Sequence, residues 1–180
     1  PLEIATWVTR GEADIAIATE AIELFDELIM LPCYKWNRSI VVPPQHPLLA
    51  DNELTLEAIA QYNIVTYDFA FTSRSKINQA FEAKGLKPNV VLTTIDADVI
   101  KTYVEIGLGI GILASMAFNP EHDRGLRAID AAHLFEPSTT RLGISRNCYI
   151  RKYIYDFIEM FAPNLSREDI QQIQTKKILA

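Results

Sequence analysis

Thr19 and the cluster Thr72, Ser73 and Ser75 are the side chains in this sequence best suited to hold a small anion. Thr19 follows the apolar run ADIAIA, and Thr72 stands in FTSRS, just ahead of a stretch with helical patterning. In an open α/β sheet, a strand's carboxyl end and the start of the next helix face a common crevice. The first helical turn leaves backbone N–H groups unpaired and carries the positive end of the helix dipole. A carboxylate or sulfate is stabilised there. Plain capping by Thr72 and a buried strand-end role for Thr19 are the competing explanations. Tyr34 and Trp36 alternate with Cys33 and Lys35, so their rings line either a cleft or a core.

Catalysis finds little support. His46, His122 and His133 lie in Pro-rich or loop contexts, with no Ser, Cys or carboxylate at motif spacing. Asp96 and Asp98 are paired carboxylates, but they precede a helix, where capping and dipole compensation explain them. Gly107, Gly109 and Gly111 spell GLGIG. A dinucleotide fingerprint follows a strand and opens a helix, whereas this one follows a helix and opens a strand. It reads as a helix stop and then close backbone packing. Cys33 and Cys148 lack any zinc-type spacing and read as two free thiols of a reducing cytoplasm. No metal, cofactor or enzymatic activity is expected.

The elements that must position these residues follow a regular alternation. Helix 2–10 stops at Gly11, and strand 13–18 follows. An extended stretch, 28–42, exceeds a usual strand length of about 5–6 residues. Helix 55–61 opens at Thr55, strand 63–67 follows, and helix 72–84 stops at Gly85. Strand 89–94, helix 98–106 capped by Asp98, and strand 109–114 continue the pattern. Short strands at 125–130 and 140–146 precede helix 149–161 and a last helical segment opened by Ser166 and Asp169. Alternating β and α elements imply a mostly parallel sheet covered on both faces.

The expected fold class is α/β, with two lobes. Residues 1–31 and 147–165 form lobe I, 43–138 form lobe II, 32–42 and 139–146 cross between them, and 166–180 form a helical tail. A ligand is expected between the lobes. Helix 2–10 has no strand before it, which reads as a start inside lobe I. Across 180 residues the net charge is −6, so the domain itself is no polyanion binder. Neither a membrane span nor a signal peptide is visible in the sequence.

The series EADIAIATE, VVPPQHPLL, LTLEAIAQYNIVTY, FTSRS and DADVIKTYVEIGLGIGILA resembles the effector-binding domain of LysR-type transcriptional regulators over nearly all of residues 1–165. DADVIKTYV, STTRLGISR and YDFIEMFAP narrow the resemblance to the branch controlling cysteine biosynthesis. The resemblance implies a type 2 periplasmic-binding-protein-like fold, with the N-terminal part of the first lobe absent from this chain. It implies a sulfur-assimilation effector, N-acetylserine or O-acetylserine, with sulfide or thiosulfate opposing it, and a sulfate-sized anion site. Thr19 and Thr72 match that site by motif, and Tyr34 and Trp36 match a stretch linked to inducer response. The full ligand-binding set expected is Thr19, Tyr34, Trp36, Thr72, Ser73, Arg74 and Thr94. The resemblance further implies DNA binding through an N-terminal winged helix-turn-helix outside this chain, a homodimer or homotetramer, and a cytoplasmic location. The rival expectation is a transporter's solute-binding protein of the same two-lobe fold.

Overall fold

The computed structural model describes residues 2–19, 26–50, 53–68, 73–146 and 149–178. The chain packs as two units, Pro1–Lys35 with Ser138–Ala180, and Trp36–Pro137.

In the first unit, α1 (Leu2–Thr9) ends before Gly11, whose φ of 72° is the left-handed geometry that stops a helix. Strand β1 (Ile15–Thr19) pairs antiparallel with β8 (Ser138–Ser145), and β8 also neighbours β2 (Leu28–Trp36), giving the order β1-β8-β2. The alternation of β2 divides its side chains between two clusters. Leu28 joins Ala5, Val8 and Ala16 beneath α1, while Ile29, Leu31 and Cys33 join the other face. That face is covered by α5 (Lys152–Phe161) and α6 (Arg167–Ile178), through Ile154, Ile158 and Ile170. The segment read as a helical tail thus contributes to this core. Its start is a reciprocal capping box: Asp169 N donates to Ser166 Oγ, while Ser166 N and Oγ both donate to Asp169 Oδ2.

The second unit holds β3 (Arg38–Val42), α2 (Leu56–Ile59), β4 (Asn63–Tyr67), α3 (Ser73–Ala83), β5 (Asn89–Thr94), α4 (Ala97–Glu105), β6 (Ile110–Ala114) and β7 (Arg127–Asp130). Its sheet order is β5-β4-β6-β3-β7. Strands β5, β4 and β6 run parallel, as the α/β alternation requires. Strand β3 is antiparallel to both β6 and β7. No crossover helix delivers β3, so nothing obliges it to run with the others. Both faces are covered. Ile40, Ile64, Ile110 and Ile112 pack with α2 and α3 through Ile59, Ile77 and Phe81. Val41, Val65 and Leu113 pack with Ile100 and Val104 of α4.

Three expectations change in detail. The extended stretch 28–42 is two strands that break at Asn37, and β3 is wholly buried inside the second unit's sheet. The range 139–146 falls on β8, the middle strand of the first unit's sheet. The cap of α4 is Asp96, whose Oδ1 accepts from Asp98 N at 2.7 Å, and Asp98 lies in the first turn. An aspartate two positions earlier reaches that N–H without a helical φ and ψ of its own.

Candidate functional site

Because β4, β5 and β6 are parallel, their carboxyl ends Tyr67, Thr94 and Ala114 share one edge of the second unit's sheet. The reversed β3 brings Arg38 to the same edge, opposite Ala114. Helix α3 follows β4 and α4 follows β5, so both helix starts lie here, with their unpaired N–H groups. This is where an open α/β sheet binds ligands, and Ser73 and Arg74, the first residues of α3, are placed here. Thr72 lies outside the described residues. Thr94 ends β5 at the edge, where its Oγ1 accepts from Asp96 N at 3.3 Å and its carbonyl accepts from Asp68 N at 2.9 Å. It therefore shapes the turn into α4 as well as presenting a hydroxyl.

Two cations, Arg38 and Lys76, are held at this edge, which also carries Asp68 just beyond β4 and Asp96 and Asp98 at the start of α4. Arg38 is 1% exposed, its guanidinium lies 5.1 Å from the Trp36 ring centroid, and its Nη1 donates to the Glu136 carbonyl at 2.8 Å. Trp36 is thereby held as a cation–π partner. On α3, Lys76 Nζ donates to the Pro137 carbonyl at 2.8 Å and stands 3.7 Å from Glu136 Oε2. Burial pushes the Tyr67 phenol up, against a backbone hydrogen bond with Ala114. Tyr67 stays neutral at pH 7 and is available as a donor. Ser39 Oγ donates to Ser115 Oγ at 2.8 Å across the same edge.

The remaining expected residues belong to the first unit. Thr19 ends β1, half-buried and opposite Thr140 of β8. Tyr34 lies on β2 with its ring centroid 5.7 Å from that of Phe161. The structure therefore groups Trp36, Ser73, Arg74 and Thr94 in one unit, and Thr19 and Tyr34 in the other. Sequence reasoning passed over Arg38 and Lys76. The available signal was an arginine two residues beyond Trp36 at the head of the strand RSIVV, where a buried charge must be paired.

Two of the three histidines, His46 and His133, have structural work. His46 Nδ1 accepts from Leu48 N at 3.3 Å and caps a short 3-10 turn, while His133 Nε2 lies 2.9 Å from the Leu54 carbonyl. Cys33 is free and buried, and burial pushes its thiol up, so it is a poor nucleophile. Cys148 lies outside the described residues. Among the described residues, no group of three or more His, Cys, Asp or Glu side chains is placed to hold a metal, and no helix is long and apolar enough to cross a membrane.

A type 2 periplasmic-binding-like fold defines the class of small-molecule-binding domain. The LysR substrate binding domain matches residues 1–166, and the chain belongs to that family. It is 53% identical over 170 residues, 94% of this chain, to the HTH-type transcriptional regulator SsuR of Burkholderia cenocepacia. It is 52% identical over 172 residues, 96% of this chain, to the HTH-type transcriptional regulator CysB of the same organism. The chain spans about half the length of these curated relatives, 55% of each. Among solved structures, the cofactor-binding domain of the Cbl transcriptional regulator superposes with a TM-score of 0.91 at 42% identity, covering 96% of this chain and 75% of that one. The relatives are transcriptional regulators rather than enzymes, and the chain corresponds to their LysR substrate binding domain.

Proposed function

We propose that this chain is the effector-sensing domain of a LysR-type regulator of sulfur assimilation and cysteine biosynthesis, and that its effector is N-acetylserine, O-acetylserine or a sulfate-like anion such as thiosulfate. The observation that carries the reading is the start of α3 at the carboxyl edge of parallel β4, beside the held cations Arg38 and Lys76. A carboxylate or sulfate there meets free N–H groups, hydroxyls and a positive field. Likeness to SsuR, CysB and Cbl supports the sulfur connection. It also favours a regulator over a transporter's solute-binding protein.

In this reading Thr72, Ser73, Arg74 and Thr94 bind the anionic end, Thr19 supplies a further hydroxyl, and Tyr34 and Trp36 couple occupancy to response. The output would be DNA binding by a winged helix-turn-helix of the full-length protein, in the cytoplasm. A homo-oligomer fits the exposed apolar residues Val91, Ile95, Val99, Tyr103 and Ile106 along edge strand β5 and α4. Residues 99, 103 and 106 share one helix face, and an open strand edge beside such a stripe suits a second copy of the same chain.

Calorimetric titration of the full-length protein with N-acetylserine, O-acetylserine, sulfate and thiosulfate tests the reading. Thr72→Ala and Thr19→Ala are each expected to weaken binding about tenfold, the loss of one hydrogen bond to a charged group. Unchanged affinity in both variants removes these residues from the site. Failure of all four compounds to bind overturns the effector class.

A further inference from the structure

Within the second unit's sheet, the functional reading uses only the carboxyl edge. At the opposite edge, where β4 and β6 begin, His46, Gln61, Tyr62, Gly107, Leu108 and Gly109 line a pocket of about 370 Å³. Residues of two motifs that the functional reading leaves unused, VVPPQHPLL and GLGIG, meet there. The volume lies within the usual range of small-molecule sites, roughly 300–1,000 Å³.

The walls are held by contacts that need no ligand. The His46 ring is pinned by Leu48 N and packs on Tyr62 with centroids 4.5 Å apart. Asn63 Nδ2 donates to the Leu108 carbonyl at 3.2 Å, and Asn63 Oδ1 accepts from Asn89 Nδ2 at 2.8 Å. Gly109 lies against the Asn63 carbonyl so closely that a Cβ would overlap it. A pocket built this way is preformed, so a ligand pays little to order it.

Its chemistry is specific. Since His46 Nδ1 accepts a hydrogen bond, the neutral ring carries its proton on Nε2 and offers a donor there. Burial pulls the imidazole below its ordinary value, so the ring is neutral at pH 7. Gln61 Nε2 donates weakly to the Glu57 carbonyl at 3.4 Å, which leaves the carboxamide oxygen as an acceptor. No Lys, Arg, Asp or Glu lines the pocket. An ionised ligand would lose hydration there without gaining a counter-charge. The tilted His46 and Tyr62 rings favour a flat partner.

We propose that this amino-edge pocket binds a small, uncharged, planar molecule carrying a carbonyl acceptor, at a site separate from that of the anionic effector. The test uses an isosteric pair, benzamide and benzoate, titrated into the isotopically labelled chain while amide shifts are followed by NMR. Benzamide is expected to give saturable shifts at Gly107 and Gly109, at least about tenfold tighter than benzoate, the equivalent of about 1.4 kcal/mol. Leu108→Trp, which fills the pocket, and Tyr62→Leu, which removes an aromatic wall, are each expected to abolish those shifts while the remaining amide spectrum stays folded. Absence of saturable shifts at the two glycines overturns the proposal, as does equal binding of benzoate, or persistence of the shifts in both folded variants. None of these outcomes depends on where N-acetylserine binds.

Discussion

Lys101 is by charge alone a candidate ligand for an anion at the carboxyl edge, and its neighbours show why it is not one. Its ammonium lies 2.8 Å from Asp98, 2.9 Å from Asp123 and 3.2 Å from the Ala117 carbonyl. Burial alone would lower the ammonium, but hydrogen bonds and charges from Asp98 and Asp123 outweigh it and raise the pKa. Burial alone would raise Asp123, but the Asn119 N–H and Lys101 outweigh it and hold the carboxyl below its ordinary value. The pair, 13% and 12% exposed, ties α4 to the loop before β7. Asp123→Asn is expected to cost about 2–3 kcal/mol, just below the figure for breaking a fully buried pair, as read by urea unfolding at pH 7. A depressed carboxyl contributes stability above its unfolded value, about 3.9, and loses it as pH falls through the folded value. The parent chain is therefore expected to lose stability on acidification below about pH 4 more steeply than the variant. The raised lysine acts in the opposite sense, with its contribution complete below its unfolded value and lost as alkali passes the folded one.

At the scale of elements, the stops and caps were legible because they are local. Gly11, Gly85 and Gly107, read as helix stops, have φ of 72°, 68° and 85°. Thr55 Oγ1 accepts from Ala58 N at 3.1 Å at the start of α2, as its place in TLEAIA implied. Thr55→Ala is expected to cost about 1 kcal/mol, the usual value of a hydroxyl cap, measurable as a lowered urea midpoint with an unchanged slope. The shift from Asp98 to Asp96 at α4 shows the limit of such reading, since two aspartates two residues apart both satisfy the pattern. The end of β2 and start of β3 show another. The stretch reads as passing from one lobe to the other, but its residues do not show that one strand ends and the next begins at Asn37.

For the whole molecule, regular α/β alternation was enough to predict a sheet covered on both faces, and the second unit has one. The exposed apolar residues of β5 and α4 need the assembled unit to become visible as neighbours, because Val91 on a strand and Tyr103 on a helix belong to elements that meet only when α4 packs beside β5. Tyr103→Glu places a charge among those residues, and in sedimentation it is expected to shift the full-length protein toward smaller species at matched concentration. An unchanged sedimentation profile would place the interface elsewhere. The variant's fold is checked by retained effector affinity, since Tyr103 lies outside the proposed ligand set.

The sequence by itself determined the element types, most of their ends and the family. Each of these rests on a short window of residues, where periodicity, a cap or a motif is complete. Tertiary structure alone decided that β3 runs against its neighbours, that Arg38 lies buried over Trp36 at the carboxyl edge, and that His46, Gly107 and Gly109 line one pocket at the far edge. Those outcomes depend on which strands become neighbours, and the pairings join residues many tens of positions apart. No local window contains both partners, so only the folded chain brings a charge, a ring and a carbonyl within reach of one another.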